Sequence, residues 1–148
     1  MEDGILTKEA AAVFIARAFL GFLFLFQGYD AVFRIKPRGV IDAIESPLKQ
    51  RGVPYFLIAA GAYFTAYTEL VGGLFLLLGF FRYYTLALLG LNLLVASVVF
   101  GLIKPMWDMQ YVFPRLLLLL FLLLVPAAWD TLSLDFLMGM NFTELFIK

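Results

Sequence analysis

Four long apolar runs divide the chain. The first covers about 10–33 and is interrupted by Arg17 and, near its end, by Asp30. The second, about 54–81, carries one charge, Glu69; the third, 83–103, carries none; the fourth, about 109–129, has Arg115 in its first turns. A helix needs about 20 apolar residues to cross the hydrocarbon core of a bilayer. Backbone polar groups cannot go unpaired there, so each run predicts a transmembrane helix. Strands of a membrane barrel would be shorter and would alternate, and these runs do neither. The pattern predicts an all-α integral membrane protein, with residues 1–148 forming one antiparallel four-transmembrane-helix bundle.

The connections suit that arrangement. Arg82 stands nearly alone between the second and third runs, which predicts a tight interfacial turn from which its long stem snorkels to water. The first and second runs are joined by a longer charged stretch, 34–53, an interfacial loop. Within it Val40, Ile41, Ile44 and Leu48 fall at helical spacing, so a short interfacial helix and an irregular loop both fit. Pro47 would end such a helix, and Pro54 suits the first turn of the next span. The tail from Thr131 is amphipathic, broken by Gly139 and Asn141, and predicts a segment lying on the membrane surface. The start, with Glu2 and Asp3, lacks the basic opening of a cleaved signal peptide, so the first span is expected to be retained. Orientation follows Lys and Arg in short loops. Arg34, Lys36, Arg38, Lys49, Arg51 and Lys104 lie on one face and Lys8, Arg82 and Lys148 on the other, which places both termini outside the cytoplasm.

Composition agrees and narrows the chemistry. Of 148 residues, 64% are hydrophobic and 15% charged, more apolar than soluble domains run. Eleven basic and eleven acidic side chains cancel, so no bulk field favours nucleic acid. Cysteine and histidine are absent, which removes thiol chemistry, cysteine-held clusters and the commonest zinc and haem ligand. No metal site is expected. Chemistry must come from carboxylates, Arg, Lys, Tyr or a cofactor brought by another molecule.

The charges inside the runs are the candidate site. An unpaired Arg or Asp at a bilayer centre costs roughly 2.5–3.5 kcal/mol or more, and Glu69 belongs to the same class. Measured from the face of the N-terminus, Arg17 lies about 10 Å deep, Glu69 about 18 Å and Asn92 about 14 Å. Those depths bring the three towards one intramembrane polar layer. Arg17, Gly21, Phe24 and Gly28 share a face; so do Ala59, Ala62, Ala66, Glu69 and Gly73, and so do Asn92 and Ala96. Small-residue stripes let helices approach closely. An Arg17–Glu69 pair would serve either to fix helix register or to build a functional site. A second polar group, Gln27, Tyr29, Asp30, Lys104, Trp107, Asp108, Gln110, Tyr111 and Arg115, gathers towards the loop side. It reads either as a binding cluster or as the ordinary aromatic and charged belt of a membrane interface. Asn141-Phe-Thr143 matches a glycosylation sequon, a weak motif.

Several strings, in order, resemble the DoxX family: Arg17-Ala-Phe-Leu-Gly21, Phe26-Gln-Gly28, Gly52-Val-Pro54, Glu69-Leu-Val-Gly72-Gly73 leading to Leu78-Gly79-Phe-Phe-Arg82, and the late Pro126 with Ser133-Leu-Asp135. The resemblance covers roughly 17–135. It implies a four-helix protein of the prokaryotic inner membrane. Some relatives are subunits of a thiosulfate:quinone oxidoreductase, and others are linked to membrane redox or oxidative-stress complexes. It carries over to Arg17, Glu69 and Arg82. The family often has a Lys three residues after the helix-one glycine; this chain has Ala31 there, so no role of that Lys is carried over. The first functional expectation is a redox-associated subunit binding a quinone, with a redox protein or a second copy of the chain as partner. Aromatic residues, 18% of the chain, suit an amphipathic ring. The alternatives are a non-catalytic membrane assembly partner and, behind it, a small transporter, for which broken helices and inverted repeats are lacking.

Overall fold

A computed structural model of the protein describes residues 7–104 and 109–139, apart from the side chains of 109–111. Every regular element among the described residues is helical. Helix α1 spans Lys8–Tyr29 and begins where Thr7 accepts a hydrogen bond from the Ala10 amide at 3.1 Å. It widens into a π-helical turn, Asp30–Arg34, closed by the Ile35 amide donating to the Asp30 carbonyl. Helix α2, Lys36–Gln50, follows, then α3, Tyr55–Leu78, and α4, Arg82–Ile103. Helix α5 covers Met109–Leu124, and after it come a 3-10 turn, Ala127–Trp129, and the one-turn helix α6, Leu134–Leu137.

Three of these helices are long and apolar enough to cross a membrane: α1 with its π turn, α3 and α4. Of the three, α4 is the least buried within the chain. The described apolar stretch of α5, Val112–Leu124, is shorter. The fourth run ends as a helix at Leu124 rather than near 129: Pro126 has no amide to give and turns the chain. The 34–53 stretch is a helix rather than an irregular loop, and Pro47 sits inside its last turn instead of stopping it. Pro37, Ile41 and Leu48 are its buried residues, and Ile41 and Leu48 pack with Ile58 and Ala62 of α3 and partly buried Val99 and Leu102 of α4.

Among the described residues the α1–α3 seam is the closest helix packing. A Cβ added at Gly28 would strike the Leu70 backbone, one at Gly73 the Leu25 backbone, and one at Gly21 the Leu77 amide nitrogen at 2.9 Å. Residue numbers fall along α1 as they rise along α3, so the two helices run in opposite senses. Backbone touches backbone, a contact that only glycine leaves room for. Beside the seam, Leu20, Phe24, Leu76, Leu86, Leu89, Leu119 and Leu122 are fully buried. Helix α3 ends on Gly79 in the left-handed region: the Gly79 amide donates to Leu76 and the Phe80 amide to Phe75, at 3.1 and 2.9 Å. Phe81, also left-handed, then starts α4.

Candidate functional site

The charged residues inside the helices sort into two centres. The first lies where α3 ends and α4 begins. Arg17, 1% exposed, uses all three guanidinium nitrogens. Nε donates to Asp130 Oδ1 at 3.3 Å, Nη1 to the carbonyls of Leu76 and Leu77 at 3.0 and 2.7 Å, and Nη2 to the Leu132 carbonyl at 3.0 Å. Leu76 and Leu77 belong to the last turn of α3, where carbonyls lack the usual i+4 amide and Leu76 accepts only the Gly79 cap amide besides Arg17. A buried cation there satisfies them and complements the helix dipole.

Arg82 repeats the device. Its Nη2 donates to the carbonyls of Leu122 and Val125 at the end of α5, and its Nη1 lies 3.7 Å from Asp130 Oδ2. Asp130, 2% exposed, thus stands between two guanidinium groups. A second carboxylate, Asp135, accepts from the amides of Phe81 and Arg82 at 2.9 and 2.8 Å, capping the start of α4. Two cations face two carboxylates, and the C-terminal ends of α3 and α5 meet cations while the start of α4 meets a carboxylate, as their dipoles favour. This centre closes one end of the bundle.

The second centre lies deeper. Asn92, fully buried, donates from Nδ2 to Glu69 Oε1 at 3.1 Å, and Glu69 is 3% exposed. Asn92 Oδ1 is buried without a hydrogen-bond partner. Arg115 lies within electrostatic range of Glu69. Its Nη1 donates to Gln27 Oε1, and its guanidinium sits over the Phe24 ring, 6.0 Å from the centroid. The layer therefore holds one carboxylate, one cation and two amide side chains, drawn from α1, α3, α4 and α5.

Below that layer, α2, α3 and α4 border a partly open apolar cavity of about 250 Å³. Ile58, Ala62 and Thr65 of α3 and Val95, Ala96 and Val99 of α4 are among its walls, with Val40, Ile44 and Leu48 of α2 across from them. Ile58, Ala62, Thr65 and Glu69 recur at three- and four-residue steps, as do Asn92, Ala96 and Val99. The polar pair lies on these same faces of α3 and α4, but neither Glu69 nor Asn92 is among the cavity's walls. One helical turn, about 6 Å, separates Thr65 from Glu69 and Ala96 from Asn92.

The residues expected to share one layer divide. Glu69 and Asn92 meet, but Arg17 does not join them. Its α3 partners, Leu76 and Leu77, stand seven and eight residues beyond Glu69, roughly 10–12 Å along the axis. Arg17 has Asp130 as its counter-charge, a residue the sequence pattern left in the tail. Arg82, expected at the surface with its head in water, is 4% exposed, because the carbonyls ending α5 and the Asp130 carboxylate draw it inward. Of the loop-side group, Gln27 and Arg115 pair with each other, and Asp30 pairs instead with Arg34 at 3.2 Å in an exposed contact. Trp107, Asp108 and the sequon at Asn141 lie outside the described residues, as do the side chains of Gln110 and Tyr111. Among the described residues no group of three or more acidic, His or Cys side chains is placed to hold a metal.

Asp130 and Asp135 are the residues that sequence reasoning missed as centre-forming. The available signal was their place just beyond the last apolar run, at the same end of the bundle as Arg17 and Arg82. Against known proteins, residues 12–102, well over half of the chain, match the family model described as DoxX. No curated protein and no solved structure matches the chain.

Proposed function

From the premise that this chain belongs to the DoxX family of multi-pass membrane proteins, we propose that it is a redox-associated subunit that binds a quinone within the bilayer. The observation that carries this reading is the Glu69–Asn92 pair, with its unpartnered Asn92 Oδ1, on the faces that line an apolar cavity. A quinone has a ring with two polar oxygens and an apolar chain. Ligand sites of that kind combine apolar walls with a few placed polar groups. Helix α2 covers the cavity from outside, and the small residues Gly61, Ala62 and Ala96 make its space.

The chain has neither Cys nor His, so electron transfer belongs to a partner redox protein. The bound ring would supply the two-electron acceptor or donor. The chain's own residues would hold it: Asn92 and Glu69 at the polar end, α2, α3 and α4 around the apolar end. Arg17, Arg82 and Asp130 keep the helix ends in place and take no part in binding.

The proposed setting is the prokaryotic inner membrane. The chain would cross it four times as an antiparallel bundle, with α5 as the fourth span. The α2 face, bearing Lys36, Arg38 and Lys49, would lie in the cytoplasm and both termini outside.

Gentle purification followed by mass spectrometry of the lipid extract tests this. A stoichiometric quinone is expected, and Asn92→Leu should lose it while remaining folded. A stoichiometric co-purifying protein without quinone would replace this reading with that of a non-catalytic assembly partner.

A further inference from the structure

We infer that the outward face of α3 is where a second copy of this chain packs, with the hydroxyls of Tyr63 and Tyr67 hydrogen-bonding across the contact. Ala60, Tyr63, Tyr67, Val71, Leu74 and Leu78 recur at three- and four-residue steps and are all exposed. They form one stripe, on the side of the helix away from buried Glu69 and Gly73. Tyr67 stands near the midpoint of α3, about 16–18 Å from either end, and Tyr63 one turn before it. The two rings stack on each other, with 6.5 Å between centroids and 10° between planes. Neither hydroxyl has a hydrogen-bond partner among the described residues. Tyr29, Tyr55, Tyr83 and Tyr84, by contrast, stand at helix ends, where the aromatic belt of a membrane interface belongs.

Lipid tails offer a hydroxyl nothing to bond to, so an unpaired phenol at that depth is costly. Even leaning towards the near end of the helix, Tyr67 stays within a hydrocarbon core about 30 Å thick. What relieves it is a protein surface with hydrogen-bonding groups at the same depth. A second copy supplies that surface. Copies enter the membrane in the same sense, so a two-fold axis along the membrane normal brings two α3 stripes together at equal depth. A phenol both donates and accepts, so identical hydroxyls complete one another across such an axis. The stripe carries no charged residue, and like copies meet there without repulsion. Gly61 and Thr65, the α3 walls of the cavity, lie outside the stripe, so the contact leaves the cavity open and is independent of the quinone reading.

The test uses the full chain, first in native membranes. It has no cysteine, so single cysteines report cleanly. Oxidation with copper phenanthroline should link Ala60→Cys or Val71→Cys into a dimer of the chain and leave Leu94→Cys, exposed on α4, monomeric. In liposomes, energy transfer between labelled copies, followed as the protein is diluted into lipid, gives the dissociation constant. Tyr67→Phe keeps the ring and removes the hydroxyl, and should weaken pairing at least about fivefold. Because that side chain faces outward, the variant's melting temperature as a detergent-solubilised monomer should match the wild type. Pairing by Tyr67→Phe as tight as the wild type's would overturn the inference. So would a wild-type chain that is monomeric at every dilution, or linkage through Leu94→Cys as strong as through the α3 stripe. Linkage of Val71→Cys to a different protein, with no dimer of the chain, would overturn it in favour of a partner subunit on that face.

Discussion

Arg17 donates to Asp130 across 113 residues of sequence, and the two side chains are 1% and 2% exposed. The contact ties α1 to the segment that follows α5. It also places the negative charge of Asp130 where Arg82 can approach it, at 3.7 Å. Removing one partner of a buried pair strands the other, at a cost of ~3–5 kcal/mol. Asp130→Asn strands two arginines and should lower thermal stability in detergent more than Arg17→Gln does. The Arg17→Gln/Asp130→Asn double variant should lose less than the sum of the singles, whereas Arg17→Gln with Glu69→Gln should be additive within about 0.5 kcal/mol. Coupling between Arg17 and Glu69 would contradict the separation of the two centres.

Arg82 carries a related expectation. Its guanidinium satisfies carbonyls at the end of α5, and its backbone amide is held by Asp135. Arg82→Gln should destabilise the protein, visible as a lower melting temperature and early aggregation. Asp135→Ala, which removes a cap, should cost a smaller amount, ~1–2 kcal/mol. A fully stable Arg82→Gln variant would mean that the α5 carbonyls find other donors.

The glycines of the α1–α3 seam separate packing from propensity. Gly73→Ala puts a methyl group onto the Leu25 backbone, and backbone cannot swing aside as a side chain can. The variant should lose ~1–3 kcal/mol or more. At Gly101 a Cβ meets nothing within 4 Å, and there Gly→Ala should gain up to about 1 kcal/mol of helix propensity. Chemical denaturation of both variants in the same detergent reads the contrast. If Gly73→Ala were neutral, the helices would have to be further apart than described.

The long helices were legible because apolar length and charge interruption report directly on them. The seam glycines were legible because small residues at three- and four-residue spacing mark close approach. The pairing of charges was not. Depth counted from span ends gives one coordinate per residue, and the roughly 8 Å between the estimates for Arg17 and Glu69 was a real separation. Gly21 opposite Leu77 sets the register, which puts Arg17 at the end of α3 and Glu69 near Gly28. Asp130 escaped notice because a lone carboxylate after Trp129 looks like interfacial tail until the fold brings the tail over the helix ends. Asn92 was placed with Glu69 by depth and face alone, and those two coordinates suffice when helices are neighbours.

Orientation is open to a clean labelling test, because the chain has no cysteine of its own. The α2 face carries Lys36, Arg38 and Lys49, with Arg34 and Arg51 at its ends, and such clusters in short loops stay on the cytoplasmic side. Ser46 on α2 and Met138 after α6 are both exposed, so a small thiol at either site should leave the fold intact. In intact cells a membrane-impermeant maleimide should label Met138→Cys and spare Ser46→Cys until the membrane is opened. The reverse pattern would keep the crossings and invert the orientation, overruling the charge argument. Labelling of both in intact cells would place α2 and the C-terminal segment on one face. The fourth crossing by α5 would then be lost, and with it the antiparallel four-span bundle.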